Sequence, residues 1–311
     1  VKPQRILVIK LGALGDFILA FAAFQAIRQQ HPGAEITLLT TTPFRDLASA
    51  SLWFNEVLID DRPKGLIGLM RLRRKLRGFD RIYDLQTSSR TNLYYKLLWP
   101  HRLEWNGNAP GCSHPDPTPV RSAVHAAQLR VNQLQAAGIS EVPPADLSWL
   151  QSELKGPRFQ NLPDKYVLLV PGAAPHRPAK RWPAEHYAAL AAELARQGIT
   201  SLIIGSQSEA TAARIITVEE PSAIDLTGCT TLFDIASLAR QAKAAVGNDT
   251  GPMHLIAAVG CPSLVLFCTA EANPAHSSPV GEQVKIIARD DLTQLEVAEV
   301  TAALLAFPAI V

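Results

Sequence analysis

The sequence is poor in the features that mark a secreted, membrane-spanning or polyanion-binding protein. Its four cysteines, Cys112, Cys229, Cys261 and Cys268, lie far apart and form neither a CxxC pair nor a zinc-ligand spacing. Neither a disulfide framework nor a metal site is expected from them, and they read as free thiols of a reducing cytoplasm. The most apolar stretch, Leu255 to Ala270, is broken in its middle by Gly260 and Pro262, so it reads as helix, turn and buried strand rather than a membrane span. The first apolar run, Ile6 to Ile9 behind Lys2 and Arg5, is shorter than the hydrophobic stretch of a signal peptide. A net charge of only +2, with the signs mixed, leaves no basic excess for nucleic acid. The expectation is a cytoplasmic protein whose contact with a membrane, if it has one, is peripheral.

What the chain does have is alternation. Its 311 residues exceed one typical core and suit two α/β domains. The first half runs as strand Arg5 to Ile9, helix Asp16 to Gln30, strand Glu35 to Thr40, and strands near Val57 and Ile82. Phe17, Phe21, Phe24 and Ile27 share one face of that helix, which His31, Pro32 and Gly33 end. Prolines 143, 144, 157 and 163 crowd Ser140 to Pro163, which reads as the linker, with domains at 1–155 and 156–311. The second series runs as strand Tyr166 to Val170, helix Pro183 to Gln197, strand Ser201 to Ile204, and a helix from near Glu209. Strand Ala244 to Val246, helix Pro252 to Val259, strands Ser263 to Phe267 and Val284 to Ile287, and a helix from about Thr293 to Leu305 complete it. The last helix is a candidate to pack back on the first domain. Two Rossmann-like domains with parallel sheets facing across a cleft are expected, with ligands at the carboxyl ends of the strands.

Three segments carry the chemistry. In AVGNDTGPMH, Ala245 to His254, Asp249, Thr250 and Gly251 fall between a strand and a helix that Pro252 opens. Backbone amides at such a helix start suit a phosphate. In PGAAPHRPAKRWP, Pro171 to Pro183, His176, Arg177, Lys180 and Arg181 follow a strand end. Cations there suit a pyrophosphate through charge-assisted hydrogen bonds. In LGALGD, Leu11 to Asp16, the GxGxxG dinucleotide fingerprint is absent, which disfavours an oxidoreductase. An acid at this helix start repels phosphate; Asp16 is either a helix cap or a general base for an acceptor hydroxyl.

In this order and separation, the GxxGD loop, the PG…KRWP loop and the DTGxxH segment resemble the ADP-heptose:lipopolysaccharide heptosyltransferase family, glycosyltransferase family 9. The resemblance implies a GT-B fold, an ADP-sugar donor held mainly by the second domain, no metal or other cofactor, and inversion at the anomeric carbon. By position, Asp16 with Gly15 before it matches the family's catalytic base, and Lys180 the lysine that stabilises the leaving diphosphate. Asp249, Thr250, Gly251 and His254 match the segment on the donor's phosphates and sugar. Glu209 matches an acid on the ribose hydroxyls, although a first-turn helix acid is the plainer reading of it. Thr230 and Leu232 fall beside the adenine. The chain departs from the family pattern at FILAFAAF, Phe17 to Phe24, and at FCTAEANPAH, Phe267 to His276, where acceptor or sugar would be recognised.

The implied partners are a nucleotide-sugar donor and a lipid-linked oligosaccharide acceptor, met on the cytoplasmic face of the inner membrane. Nucleic acid is not among them. The basic run Arg71 to Arg81 behind Leu66, Ile67, Leu69 and Met70 is either a solvated helix face or a rest on anionic lipid. Trp105 to Arg121 reads as a proline-rich loop, either plain surface or part of the acceptor pocket; a metal at its Cys112, His114 and Asp116 is disfavoured, because the spacing offers too few ligands. The alternatives to the heptosyl transfer are a related transferase with another nucleotide-sugar donor and a catalytically inactive nucleotide-sugar-binding protein. Retention of both Asp16 and Lys180 favours the enzyme.

Overall fold

The computed structural model describes residues 3–60, 62, 65–98, 100 and 103–310; Lys2 lies outside them. The chain divides into two compact units, Val1–Trp149 and Leu150–Val311.

The first unit contains, in order, β1 (Arg5–Ile9), α1 (Leu14–Ile18), α2 (Phe21–Gln30), β2 (Glu35–Thr40), α3 (Arg45–Ala50) and β3 (Glu56–Ile59). Next come α4 (Gly65–Lys75), β4 (Arg81–Asp84), α5 (Ser89–Leu98), β5 (Glu104–Gly107), β6 (His114–Pro115) and α6 (Ala126–Ala136). Its six strands are parallel, in the order β3-β2-β1-β4-β5-β6. The four-residue run Ile6 to Ile9 is fully buried, as a strand covered by helices on both faces must be.

The second unit begins at β7 (Tyr166–Val170), followed by α7 (Ala184–Arg196), β8 (Thr200–Ile203), α8 (Ala210–Glu219), β9 (Ile224–Asp225) and α9 (Leu232–Gln241). It ends with β10 (Ala244–Asn248), α10 (Gly251–Ala258), β11 (Ser263–Cys268), α11 (Pro274–Ser277), β12 (Val284–Arg289) and α12 (Val297–Leu305). These strands are also parallel, in the order β12-β11-β10-β7-β8-β9. Read from each unit's first strand, the two orders are the same doubly wound arrangement, which reverses beside β1/β4 and beside β7/β10.

Three expectations are revised. The single helix Asp16 to Gln30 is two, α1 and α2, separated at Leu19 and Ala20, although Phe17, Phe21, Phe24 and Ile27 are all buried as expected. Trp105 to Arg121 is not simply a loop: Trp105 is fully buried in β5, and His114 and Pro115 pair with that strand as β6. The division between units falls at Trp149 and Leu150, ahead of the expected boundary at 155/156. The reason is local: Leu150 O accepts from Arg240, and Ser152 N donates to Ser237 Oγ at 2.7 Å, so the chain is already fastened to α9. Helix α12 contributes to the second unit's own core, where Val300, Leu304 and Phe307 are buried. Among the described residues no helix is long and apolar enough to cross a membrane.

Candidate active site

The second unit's site is assembled where β7 and β10 end. Asn248, the last residue of β10, is fully buried. Its Oδ1 accepts from Trp182 N at 3.0 Å and from Tyr187 Oη at 3.1 Å. Its Nδ2 donates to Pro171 O at 2.8 Å and Gly172 O at 3.2 Å. One amide side chain therefore fixes both ends of the Pro171 to Trp182 loop against the DTG turn. A buried, saturated polar group of this kind locks geometry because every alternative leaves a partner unpaired.

That loop delivers Lys180 to Asp249. The ammonium forms an ion pair with Asp249 Oδ2, and both side chains are about nine-tenths buried. His254 Nε2, from the first turn of α10, lies 4.0 Å from Asp249 Oδ1. Beside them Thr250 opens α10 in extended conformation without a side-chain cap, and Pro252 stands in the first turn. Among the described residues the amides of Thr250 and Gly251 have no protein partner, so two N–H groups face outward at the positive end of the helix.

A cavity of about 470 Å³ adjoins this helix start, lined by Thr250, Pro252, Gly205, Glu209 and Thr230 among others. The Glu209 carboxylate accepts from Ser206 N at 2.8 Å and from Ser208 Oγ at 2.6 Å, and so is both a capping acid and a cavity wall. Its stem is pressed between two glycines: an added Cβ would stand 3.0 Å from it at Gly172 and 2.8 Å from it at Gly205. Glycine at both positions is what lets Glu209 reach the cavity.

The remaining cations of the loop are placed differently. The Arg181 Nη2 donates to Ala173 O at 3.1 Å, and its side chain lines a neighbouring cavity of about 230 Å³ that shares Glu209. Arg177 reaches Glu271, donating to its backbone O at 3.4 Å, and His176 is exposed. Neither Arg177 nor His176 lines the cavity. The sequence reading did not single out Asn248, Ser206 or Tyr187. The Asn beside DTG and the capping-box spacing of Ser206 to Glu209 offered signals, and Tyr187 offered none.

In the first unit Asp16 sits in the first turn of α1 and is exposed, with Gly15 half-buried before it. Behind it, at the ends of β1, β4 and on α6, lie three buried charges: Lys10, Asp84 and Arg130. Burial and then the Arg130 charge lower the Lys10 pKa to about 7, while Asp16 and Asp84 act in the opposite sense. Burial also raises the Asp84 carboxyl to about 6, against the hydrogen bonds it accepts from Thr87, Thr91 and Gln86. Among the described residues no group of three or more His, Cys, Asp or Glu is arranged to hold a metal ion.

With this geometry established, the comparisons are direct. The family model for glycosyltransferase family 9 (heptosyltransferase) matches residues 69–304. Lipooligosaccharide heptosyltransferase 2 of Haemophilus ducreyi is 26% identical over 91% of this chain and 88% of its own length. Lipopolysaccharide heptosyltransferase 2 of Escherichia coli K12 is 27% identical over the same shares. The structure of the E. coli ADP-heptose lps heptosyltransferase II superposes with a TM-score of 0.76 at 24% identity, covering 98% of each chain. A family 9 glycosyl transferase from Veillonella parvula gives 0.79 at 22% identity, covering 97% of each. These overlaps establish the GT-B fold.

Proposed function

This chain belongs to glycosyltransferase family 9, and from that premise we propose that it transfers heptose from an ADP-heptose donor to a hydroxyl of a lipopolysaccharide core. The observation that carries the donor half is the buried Lys180–Asp249 pair beside the unpartnered amides of Thr250 and Gly251. Asp249 orients the lysine, and the ammonium and amides together meet the charge of a diphosphate. Glu209 is suited to the ribose hydroxyls and Thr230 to the base, since both line the cavity next to that helix start.

The reaction is a single displacement. The acceptor oxygen bonds to the anomeric carbon on the face opposite the diphosphate, the carbon–oxygen bond to ADP breaks with its electron pair, and the configuration inverts. Asp16 takes the acceptor's proton, a role its exposed position in α1 permits. Lys180 and the helix amides stabilise the leaving group as its charge develops. These protein groups supply that stabilisation themselves, so full activity is expected in EDTA.

Contact with the cytoplasmic face of an anionic inner membrane belongs to the same reading. It is supported by α4, whose Leu66, Ile67 and Met70 are 75%, 69% and 63% exposed ahead of Arg71, Arg73, Arg74 and Lys75. Co-sedimentation with phosphatidylglycerol vesicles, lost in Leu66→Ser/Ile67→Ser/Met70→Ser, checks it.

The central experiment is a thermal-shift panel of ADP, UDP, GDP and CMP, followed by transfer from ADP-heptose to heptose-deficient core. ADP is expected to raise the melting temperature most, because a ligand that binds only the folded chain stabilises it by mass action. A larger shift with another nucleotide, or no transfer from ADP-heptose, overturns the reading.

A further inference from the structure

We propose that the first unit carries an anion-binding subsite built from Lys10 and Arg130, which takes a carboxylate or phosphate group of the acceptor. This deepens the transfer reaction proposed above and rests on it.

Lys10 is 1% exposed and Arg130 6%. The Lys10 ammonium makes no hydrogen bond or ion pair with any described residue. Arg130 Nη1 is buried without a partner. An unpaired buried charge is strongly unfavourable, and two neighbouring cations add mutual repulsion. Arg130 lowers the proton affinity of Lys10, and burial lowers that of both.

The acids nearby do not discharge this. Asp84 Oδ1 is taken by the amides of Gln86, at 3.1 Å, and Thr87, at 2.9 Å. Its Oδ2 is itself buried without a partner. Asp16 acts on both cations only through space. The third cation, Arg121, pairs with Asp116 and donates to Thr87 Oγ1 at 2.9 Å. A chain that keeps two cations buried, close and unpaired retains their hydrogen-bond donors for a group from outside.

The place fits a ligand. Lys10 directly follows β1 and Asp84 ends β4, the neighbouring strands at which the order reverses, and such sheets bind ligands there. Gln133 Oε1 is also buried without a partner in this region, where its Nε2 donates to Asp84 O at 2.8 Å. Ammonium and guanidinium together offer charge-assisted donors, the chemistry that recognises carboxylate or phosphate. Because the Asp16 charge is felt at both cations, an anionic substituent held here would place an attached hydroxyl near the proposed base.

The test uses the full chain saturated with ADP, so that the phosphate site of the second unit is filled. Gluconate and inorganic phosphate are titrated separately by thermal shift into the wild type, Lys10→Met, Arg130→Met and Arg130→Lys. At least one anion is expected to raise the wild-type melting temperature, and which one does so identifies the group. The shift should vanish in both Met variants and largely persist in Arg130→Lys. The KM for glycolipid acceptor should rise about tenfold or more in the Met variants, the loss expected for one charge-assisted bond, with ADP affinity unchanged. Without ligand, the Met variants should melt no lower than the wild type, because an unpaired buried charge is removed.

Absence of any anion shift in the wild type, a measurement that needs no variant, overturns the proposal. So does a shift retained in the Met variants, or Met variants that melt several degrees lower with an unchanged acceptor KM. If Met is not tolerated, Arg130→Gln takes its place. ADP protection, read in the same experiment, judges the donor reading separately.

Discussion

The two units share one strand order and differ in what they do with the point where it reverses. In the second, Asn248 makes four hydrogen bonds across the β7/β10 junction and Lys180 is paired with Asp249. In the first, the β1/β4 junction is bridged by Gln86, whose Oε1 accepts from Leu11 N at 2.9 Å, while the buried Lys10 and Arg130 have no side-chain partner among the described residues. Topology fixes where a ligand sits, and side chains decide whether the place is rigid and satisfied or polar and waiting. The second unit's junction is built to hold one shape. The other side concentrates unspent hydrogen-bonding capacity around an exposed carboxylate.

Substitutions at each junction break that contrast in different ways. The largest effect is expected from Asp16→Ala: turnover falls by about 10²- to 10⁴-fold, the range for a general base. ADP affinity, measured by calorimetry, should stay within a few-fold, because the residue belongs to the other unit. Lys180→Ala should lower turnover by roughly 10²-fold and, unlike Asp16→Ala, weaken ADP binding as well. Asn248→Ala should destabilise the second unit by roughly 2–4 kcal/mol in urea unfolding, since buried partners on both loops lose their bonds together. The smallest effect is a pH dependence. Burial lowers the Lys10 pKa from 10.5 to about 7, so between those values the folded chain binds fewer protons than the unfolded one. Its penalty is full below that window and fades as pH rises through it. The stability advantage of Lys10→Met over wild type should therefore shrink from pH 7 towards pH 10 in denaturant titrations.

The central strands were legible because they are short apolar runs, Ile6 to Ile9 and Val167 to Val170, bounded by loops that contain glycine or proline; the edge strands β5, β6 and β9, short and partly polar, were not. The break between α1 and α2 was not, because Phe17 and Phe21 keep helical spacing through Leu19 and Ala20 and hide it. Helix α9 was missed although Thr231 and Asp234 form a capping box at its start, a pattern present in the sequence as TLFD. In the second unit, the motif residues Lys180, Asp249 and His254 are brought together, and Glu209, Thr230 and Thr250 share one cavity. Asn248 went unread because its importance lies in partners more than sixty residues away. Lys10 and Arg130 are further apart still, and a lysine at a strand end ordinarily faces water. The fold buries both, Lys10 just past β1 and Arg130 on α6.

Trp182 is the sole tryptophan of residues 150–311. It is buried, its Nε1 donates to Leu295 O at 2.9 Å, and its ring lies 4.8 Å from that of Tyr187. Only Arg181 separates it from Lys180 in the chain. The protein thus carries a built-in optical reporter: with the other indoles replaced by phenylalanine, emission from this one ring would follow nucleotide arrival and the melting of the half that receives it.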